Sequence, residues 1–274
     1  MTNRLRLYTE DTGLENEFLV RWMAGLDVKG AVQVRLVVPV EDGRIAAELA
    51  AARWLLEEKN VSGHDKAGAG LYLYFSNGAV KKLRRGESSK RHLIKYAEFL
   101  WTRFLGASID VETHNLDWID FDISQSTDLL EVGGPLPELI SVHGAGDVAL
   151  TPYFVQRYIE RFSRKPTRAW REIRALLSNP SLQPVSLKRR RVLEDVKHRS
   201  AGEYFYLPKR AKTSKNQDLP KREMIVVLTR AGTKWGRELL TVYEVDYRLQ
   251  KRITSIPKSA DHTSQFFQPR GRQS

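Results

Sequence analysis

The chain has 274 residues, enough for one large domain or two of ordinary size, and its 41% hydrophobic content supports a packed core rather than disorder. It contains no cysteine, which excludes disulfides and thiolate metal sites and fits a reducing compartment. The sequence has neither an apolar run of about 18 residues nor a signal-peptide pattern, so we expect a cytoplasmic protein that does not cross a membrane.

The net charge of +12 is divided unevenly along the chain. Residues 1–150 contain 17 Lys and Arg against 22 Asp and Glu, a balance of −5, whereas residues 151–274 contain 28 against 11, a balance of +17. An excess of cations in one half favours a polyanionic partner for that half. Nucleic acid is the commonest such partner, and a membrane surface is disfavoured because the cations do not lie along one long amphipathic helix.

The first half has the patterns of a sheet with helices. Alternating Leu and Arg at its start and several short apolar runs are typical of half-buried strands. A stretch rich in strong helix formers predicts a helix over residues 43–58, and a second helix is predicted from Ser88 or Ser89 to about Phe104. The predicted strands are residues 4–9, 18–23, 32–40, 71–75 and 108–113, with a turn at 26–30.

This element order resembles the ribonuclease H family. The run Leu-Arg-Leu-Tyr-Thr-Glu-Asp looks like that family's first strand, which ends in an acidic residue. The run Ala-Glu-Leu-Ala-Ala-Ala-Arg-Trp-Leu-Leu looks like its first helix, and Leu-Tyr-Leu-Tyr-Phe-Ser-Asn looks like its fourth strand. The resemblance covers roughly residues 3–130 and implies a ribonuclease H-like α/β domain with a mixed five-stranded sheet.

The resemblance also implies carboxylates that converge on two Mg²⁺ ions. Glu10 (or Asp11) and Glu48 occupy two of the family's metal positions, whereas the third holds Ser76, whose neutral hydroxyl is a poor Mg²⁺ ligand. This departure favours a fold retained for binding over a working metal site. The fourth position stays open among four aspartates, Asp117, Asp120, Asp122 and Asp128.

The composition of the sequence changes after the first half. Residues 131–147 include Gly-Gly-Pro-Leu-Pro and a glycine-spaced turn, so we predict a linker there. A helix is then predicted from Pro152 to Phe162, because Thr151 can cap it and apolar residues repeat at helical spacing. Arg157 and Arg161 lie four apart on this helix, which predicts either a solvated rim or a paired guanidinium clamp for phosphate.

The second half continues with a helix over residues 168–177, four consecutive cations, and three strands near 203–207, 224–229 and 239–245. Two helices followed by a small antiparallel sheet resemble the ribonuclease-toxin fold of barnase-like and RelE-like proteins. The run Phe-Val-Gln-Arg-Tyr-Ile-Glu-Arg and the closing Thr-Val-Tyr strand are the local matches. We therefore expect an α+β RelE-like domain over residues 148–247, after a first domain over 1–130, and a basic tail over 248–274.

Metal-free RNA cleavage in such folds needs an acid or base and cations that stabilise the phosphorane. His198, Tyr204 and Arg161 are the candidate catalytic residues, although a lone histidine in a basic loop is more often a surface residue. Tyr204 and Tyr206 are either core aromatics or platforms on which unpaired bases stack. The candidate nucleic-acid-binding residues are Arg157, Arg164, Arg168, Lys188, Arg189, Arg190, Arg191, Arg199 and Tyr206.

The sequence therefore predicts a nucleic-acid-binding protein, with RNA favoured over DNA, no cofactor, and metal-independent endoribonuclease activity as an open question for the second domain. One alternative is a two-metal nuclease that uses Mg²⁺ in the first domain. Another is a non-catalytic inhibitor or scaffold with a protein partner. The two resemblances together favour a protein of a mobile genetic element.

Overall fold

A computed structural model describes residues 3–26, 28–63, 68–114, 116–121, 127–163, 165–187, 202–208, 222–229, 236–245 and 253–255. The strands in the first part are β1 (Asn3–Asp11), β2 (Glu17–Ala24), β3 (Val28–Leu36), β4 (Leu71–Phe75), β5 (Ser108–Val111) and β6 (Thr127–Val132). The helices are α1 (Gly43–Glu57), α2 (Gly78–Arg85) and the short α3 (Ile94–Ala97), which lies between 3₁₀ turns at Arg91–Leu93 and Glu98–Leu100.

The first sheet has six strands in the order β5-β4-β1-β2-β3-β6. Strands β1, β2 and β3 form an antiparallel meander, while β4, β5 and β6 run parallel to their neighbours. The prediction of a mixed sheet is confirmed, but the sheet has one strand more than the five expected. The additional strand, β6, lies beyond the last strand predicted for this half, residues 108–113.

Helix α1 covers one face of this sheet. Alternate residues of β1, Leu5, Leu7 and Thr9, are buried on that face, as the two-residue period of a strand requires. Small side chains on α1 allow the helix to lie close to the sheet, and its alanines at 46, 47, 51 and 52 are fully buried there. This packing places the residues of β1 with even numbers on the opposite face.

The second part has its own core. It contains β7 (Leu139–Val142), β8 (Gly146–Ala149), α4 (Pro152–Arg161), α5 (Ala169–Leu177), β9 (Gln183–Leu187), β10 (Gly202–Leu207), β11 (Met224–Thr229), β12 (Leu239–Glu244) and β13 (Ile253–Ser255). The strands β12-β11-β10-β9-β13 form an antiparallel sheet, and β7 pairs with β8. Apolar residues of α4, α5 and the hairpin pack on one face of the larger sheet.

Several boundaries differ from those predicted. The third strand ends at Leu36, and Val37 and Val38, which the pattern included, lie beyond it and are more than half exposed. The helix expected over 88–104 is instead a series of short α and 3₁₀ turns. Helix α2, which was not predicted, lies before this stretch and is closed by Gly86 at a φ of 73°. The segment predicted as a linker, residues 131–147, contains the end of β6, all of β7 and the start of β8.

Arg53 of α1 fastens the first core to the start of the second part. Its guanidinium donates hydrogen bonds to the carbonyl oxygens of Leu136 and Pro137 and lies 3.5 Å from a carboxylate oxygen of Glu138. The backbone of Glu138 in turn accepts a hydrogen bond of 2.7 Å from the amide of Leu150. The entry into β7 is therefore fixed against α1.

Within the described part of the chain, no helix is long and apolar enough to span a lipid bilayer.

Candidate nucleic-acid interface

Helix α4 begins as the sequence predicts. The Thr151 hydroxyl accepts a hydrogen bond from the amide of Phe154 at 3.1 Å, and Pro152 occupies the first turn. The same hydroxyl donates to the carbonyl oxygen of Leu239 at 2.8 Å, which ties the start of the helix to β12. Phe154, Val155 and Tyr158 are buried, so the apolar face of α4 lies in the second core.

Arg161, at the end of α4, is engaged with β12. Its Nη1 lies 2.7 Å from the carbonyl oxygen of Val242 and 3.3 Å from the hydroxyl of Thr241. Its guanidinium carbon also lies 4.5 Å from the centre of the Tyr243 ring. Since β12 is the last strand of its sheet, Arg161 satisfies a carbonyl that no neighbouring strand can reach. This geometry gives Arg161 a structural role.

Arg157 is engaged on the surface of α4 itself. Its Nε donates to the hydroxyl of Tyr153 at 3.0 Å, and its Nη1 lies 3.0 Å from a carboxylate oxygen of Glu160. The hydrogen bonds that Arg157 donates to Tyr153 and to Glu160 raise the pKa of Arg157 above its ordinary value. The two arginines of the expected clamp therefore bind separate partners within the protein.

The two tyrosines of β10 differ in exposure. Tyr204 is 7% exposed and packs with Val185, Ile225 and Val227, on the face of the sheet opposite to the helices. Tyr206 is half-buried, and burial together with the nearby Glu223 raises its pKa to about 12. Tyr204 is thus placed as a core aromatic, and Tyr206 keeps its proton at neutral pH.

A row of cations lies along the exposed side of α5 and the turn before it. We call it the α5 basic face; its members are Lys165, Arg168, Arg171 and Arg174, all exposed. The opposite side of α5 is buried through Trp170, Ile173 and Leu177. The side chains of Lys165, Arg168 and Arg174 have no acidic partner among the described residues. Of this row only Arg168 was predicted from the sequence, although the three-residue spacing of the arginines on one helix indicates a shared face.

Other predicted residues cannot be placed. Arg164, Asp122 and the basic stretch with its histidine lie outside the described residues. That stretch includes Lys188, Arg189, Arg190, Arg191, His198 and Arg199.

Glu10 and Glu48 lie on different sides of the sheet, and Asp11, the alternative to Glu10, is exposed at the end of β1. Glu48 is 1% exposed on α1, and its Oε1 accepts a hydrogen bond of 2.7 Å from the amide of Ser76, at the end of β4. Glu10 lies on the other face of β1, where its carboxylate pairs with Arg21 at 3.0 Å. Arg21 also donates to the carbonyl oxygens of Ile119 and Phe121.

This placement does not fit a two-Mg²⁺ centre. The described residues contain no group of three histidine or carboxylate side chains that could hold a metal ion. Among the candidates for the fourth ligand, Asp128 pairs with Lys59 at 2.9 Å, and Asp117 and Asp120 are exposed in a surface turn. Glu48 instead connects α1 to the end of β4, and burial raises its pKa to about 7.

A groove of about 810 Å³ separates the two parts of the chain. One wall is formed by the end of α2 and the turns that follow it, and the other wall is formed by α4. Arg84, Arg85 and Arg91 line the first wall, and Gln156 and Glu160 line the second. The position of these arginines opposite α4 follows from tertiary packing and was not predicted from the sequence.

Comparisons with protein-family models, curated proteins and solved structures returned no match to this chain.

We predict that Arg161→Met lowers the free energy of unfolding by about 1–2 kcal/mol, because it leaves the edge carbonyl and the Tyr243 ring without their cation. Arg157→Met, on the same helix, should leave the urea midpoint nearly unchanged because its partners are exposed to solvent. Urea denaturation followed by circular dichroism measures both. Equal effects of the two substitutions would contradict the structural role of Arg161.

We predict that the stability of the protein depends on Glu48 in a pH-sensitive way. The folded pKa of about 7 lies above the unfolded value of 4.5, so the folded state binds the extra proton between these values, and stability falls as the pH rises through this window. Glu48→Gln should remove the fall in stability that Glu48 causes in this window. Its free energy of unfolding should exceed that of the wild type by on the order of 3 kcal/mol at pH 8 and should be nearly equal to it near pH 4.5.

Urea denaturation of both proteins at pH 5 and pH 8 measures this effect, with the exposed Glu58→Gln as the matched control. If the wild type and Glu48→Gln differ in free energy of unfolding by the same amount at both pH values, the account is contradicted. A magnesium-ligand role for Glu48 would instead appear as stabilisation of the wild type, but not of Glu48→Gln, by added Mg²⁺.

Proposed function

We propose that the protein binds nucleic acid, with RNA favoured over DNA, and that the α5 basic face makes the first electrostatic contact. The observation that carries this proposal is that three cations of that face, Lys165, Arg168 and Arg174, have no acidic partner among the described residues, in the half of the chain whose balance is +17. Cations that are already neutralised by carboxylates contribute little to phosphate binding, whereas unpaired cations release the counterions of the nucleic acid.

The pairing of acidic residues in the first half also supports the α5 basic face as the contact surface for nucleic acid. Several of the carboxylates between 110 and 131 pair with cations of their own half; these pairs are Lys81–Asp110, Lys59–Asp128 and Arg35–Glu131. The carboxylates of these pairs are therefore engaged away from the α5 basic face. A strand of nucleic acid would meet this face without displacing them.

The preference for RNA rests on the two resemblances. The meander β1-β2-β3, the helix α1 and the parallel strands β4 and β5 occur in the order on which the ribonuclease H resemblance depends. In the second part, α4 and α5 precede antiparallel strands, which supports the resemblance to the ribonuclease-toxin fold. Both families act on RNA, so RNA is the class of nucleic acid that we propose as the ligand.

The geometry favours binding over cleavage. Of the candidate catalytic residues, Tyr204 is buried among apolar side chains and Arg161 is bound to β12. Glu10 and Glu48 lie on opposite faces of the first sheet. A binding role requires none of these groups to reach a phosphate.

We predict that Arg168→Gln combined with Arg174→Gln weakens binding to single-stranded RNA and makes its salt dependence shallower. Loss of two phosphate contacts should reduce the slope of log affinity against log salt by about 1.4, because each contact to a single strand contributes about 0.7. Fluorescence anisotropy over a range of NaCl concentrations measures the slope. Arg4→Gln with Lys29→Gln, a pair of exposed cations in the first half, is the matched control.

An affinity of the wild type that does not change between low and moderate salt would refute the electrostatic account. The same preparations, incubated with labelled RNA and DNA in EDTA or in Mg²⁺, test for cleavage. We expect both nucleic acids to stay intact. RNA cleavage in EDTA would assign a toxin-like activity to the second half, and cleavage only in Mg²⁺ that is lost in Glu48→Gln would assign a metal-dependent nuclease.

A further inference from the structure

The groove between α2 and α4 has an apolar floor that the proposed electrostatic contact does not use. Leu83, Ile94 and Trp101 line it from the first part of the chain, and Val155 and Ile159 line it from α4. A volume of about 810 Å³ lies within the range of sites that enclose small organic ligands, which is roughly 300–1,000 Å³. An apolar site of this size at the junction of two cores is suited to a flat ring or a short apolar segment.

The rim of the groove on the α2 side is basic. The Arg91 side chain is exposed and has no partner among the described residues, and the Arg85 side chain is 58% exposed with a carboxylate of Glu87 at 4.0 Å. The third arginine, Arg84, donates to the carbonyl oxygen of Leu105 at 3.0 Å and is used within the protein. Arg85 and Arg91 are therefore the cations available to an anionic ligand.

The opposite rim is polar but is internally compensated. The carboxylate of Glu160 accepts hydrogen bonds from the side-chain amide of Gln156 at 2.9 Å and from Arg157 at 3.0 Å. Its charge is thus offset by Arg157, and it does not cancel the cations across the groove. A ligand that fits both rims has an anionic group on one side of a largely apolar body.

The groove is too small to hold a docked helix as its main ligand. A helix with its side chains is about 10–12 Å across and rises 5.4 Å per turn, so fewer than two turns would fill about 810 Å³. A helix this short is unstable in water and gains little from such a site. A nucleotide combines an aromatic base, which buries apolar surface, with a phosphate that arginine binds well.

We propose that this groove holds one unstacked base of a bound single strand, with the adjoining phosphate on Arg91 and Arg85. The inference rests on the proposed nucleic-acid binding and adds a second contact to the α5 basic face. Contact with an unstacked base restricts the ligand to single-stranded segments, because paired bases stay within their duplex.

The test uses the full-length protein and a single-stranded RNA of about ten nucleotides that contains one 2-aminopurine. The fluorescence of this base analogue changes when the base leaves its stack and enters a pocket. Gln156→Trp narrows the groove from an exposed position of α4, and Arg91→Ala removes the rim cation. Lys82→Ala, an exposed residue of α2 outside the groove lining, is the matched control for charge.

We expect Arg91→Ala and Gln156→Trp each to weaken binding by about 5- to 10-fold and to remove the 2-aminopurine signal, whereas Lys82→Ala changes affinity less than about 2-fold. Unchanged affinity and signal in both groove variants, with binding still lost in the α5 variant, would overturn this inference and leave the proposed function standing. Binding of the free 2-aminopurine ribonucleotide as tightly as the strand would also overturn it, in favour of a small-molecule site. A wild-type protein that binds no nucleic acid would refute both proposals.

Discussion

The contact of Arg53 with the segment that enters β7 is the constraint on which the proposed interface depends. Each part of the chain has its own apolar core, and the groove exists only if the two cores keep a fixed relation. Arg53 holds the backbone at Leu136 and Pro137, and it compensates Glu57 at 3.0 Å and Glu138 at 3.5 Å. Removing a partner from such a buried group costs more than the bond itself contributes, so this junction resists rearrangement.

The carboxylates at this junction show how closely the two parts are joined. Glu138 is 4% exposed, and burial together with the charge of Glu57 raises its pKa to about 8. One oxygen of Glu57 is buried without a hydrogen-bond partner, and a proton held by Glu138 would relieve the repulsion between the two groups. Leu105 of the first part also packs against the second core. The junction between the two parts is therefore stabilised by apolar packing as well as by charge.

The elements predicted correctly from the sequence are those that a short run of residues determines. The strand over 71–75 and the strand over 224–229 were predicted with the observed limits, and the cap at Thr151 was predicted with its acceptor role. Strands β6, β7, β8, β9 and β13 were missed. Strands β6, β9 and β13 are partly polar, and each depends on pairing with another strand that no local pattern indicates. Such pairing is a tertiary effect that no short window of sequence contains.

At the candidate site, too, local features were predicted from the sequence and long-range contacts were not. Helical spacing correctly placed Arg157 and Arg161 on one side of α4, but it could not indicate that β12, eighty positions away in sequence, lies beside Arg161. The strand alternation that buries Leu5, Leu7 and Thr9 turns Glu10 away from Glu48, and the family resemblance alone did not reveal this separation. The α5 basic face follows from helical periodicity, whereas the groove follows only from the packing of two separate cores.

The central claim is that nucleic acid lies against the α5 basic face and reaches the groove beside α4. Photo-crosslinking of the full-length protein to single-stranded RNA that contains 4-thiouridine, followed by mass spectrometry of the peptides, tests it most directly. The account predicts adducts in peptides from residues 165–174 and from the groove walls at residues 84–94 and 152–160. Adducts confined to other surfaces, such as the exposed edge of the first sheet at β5, would contradict it.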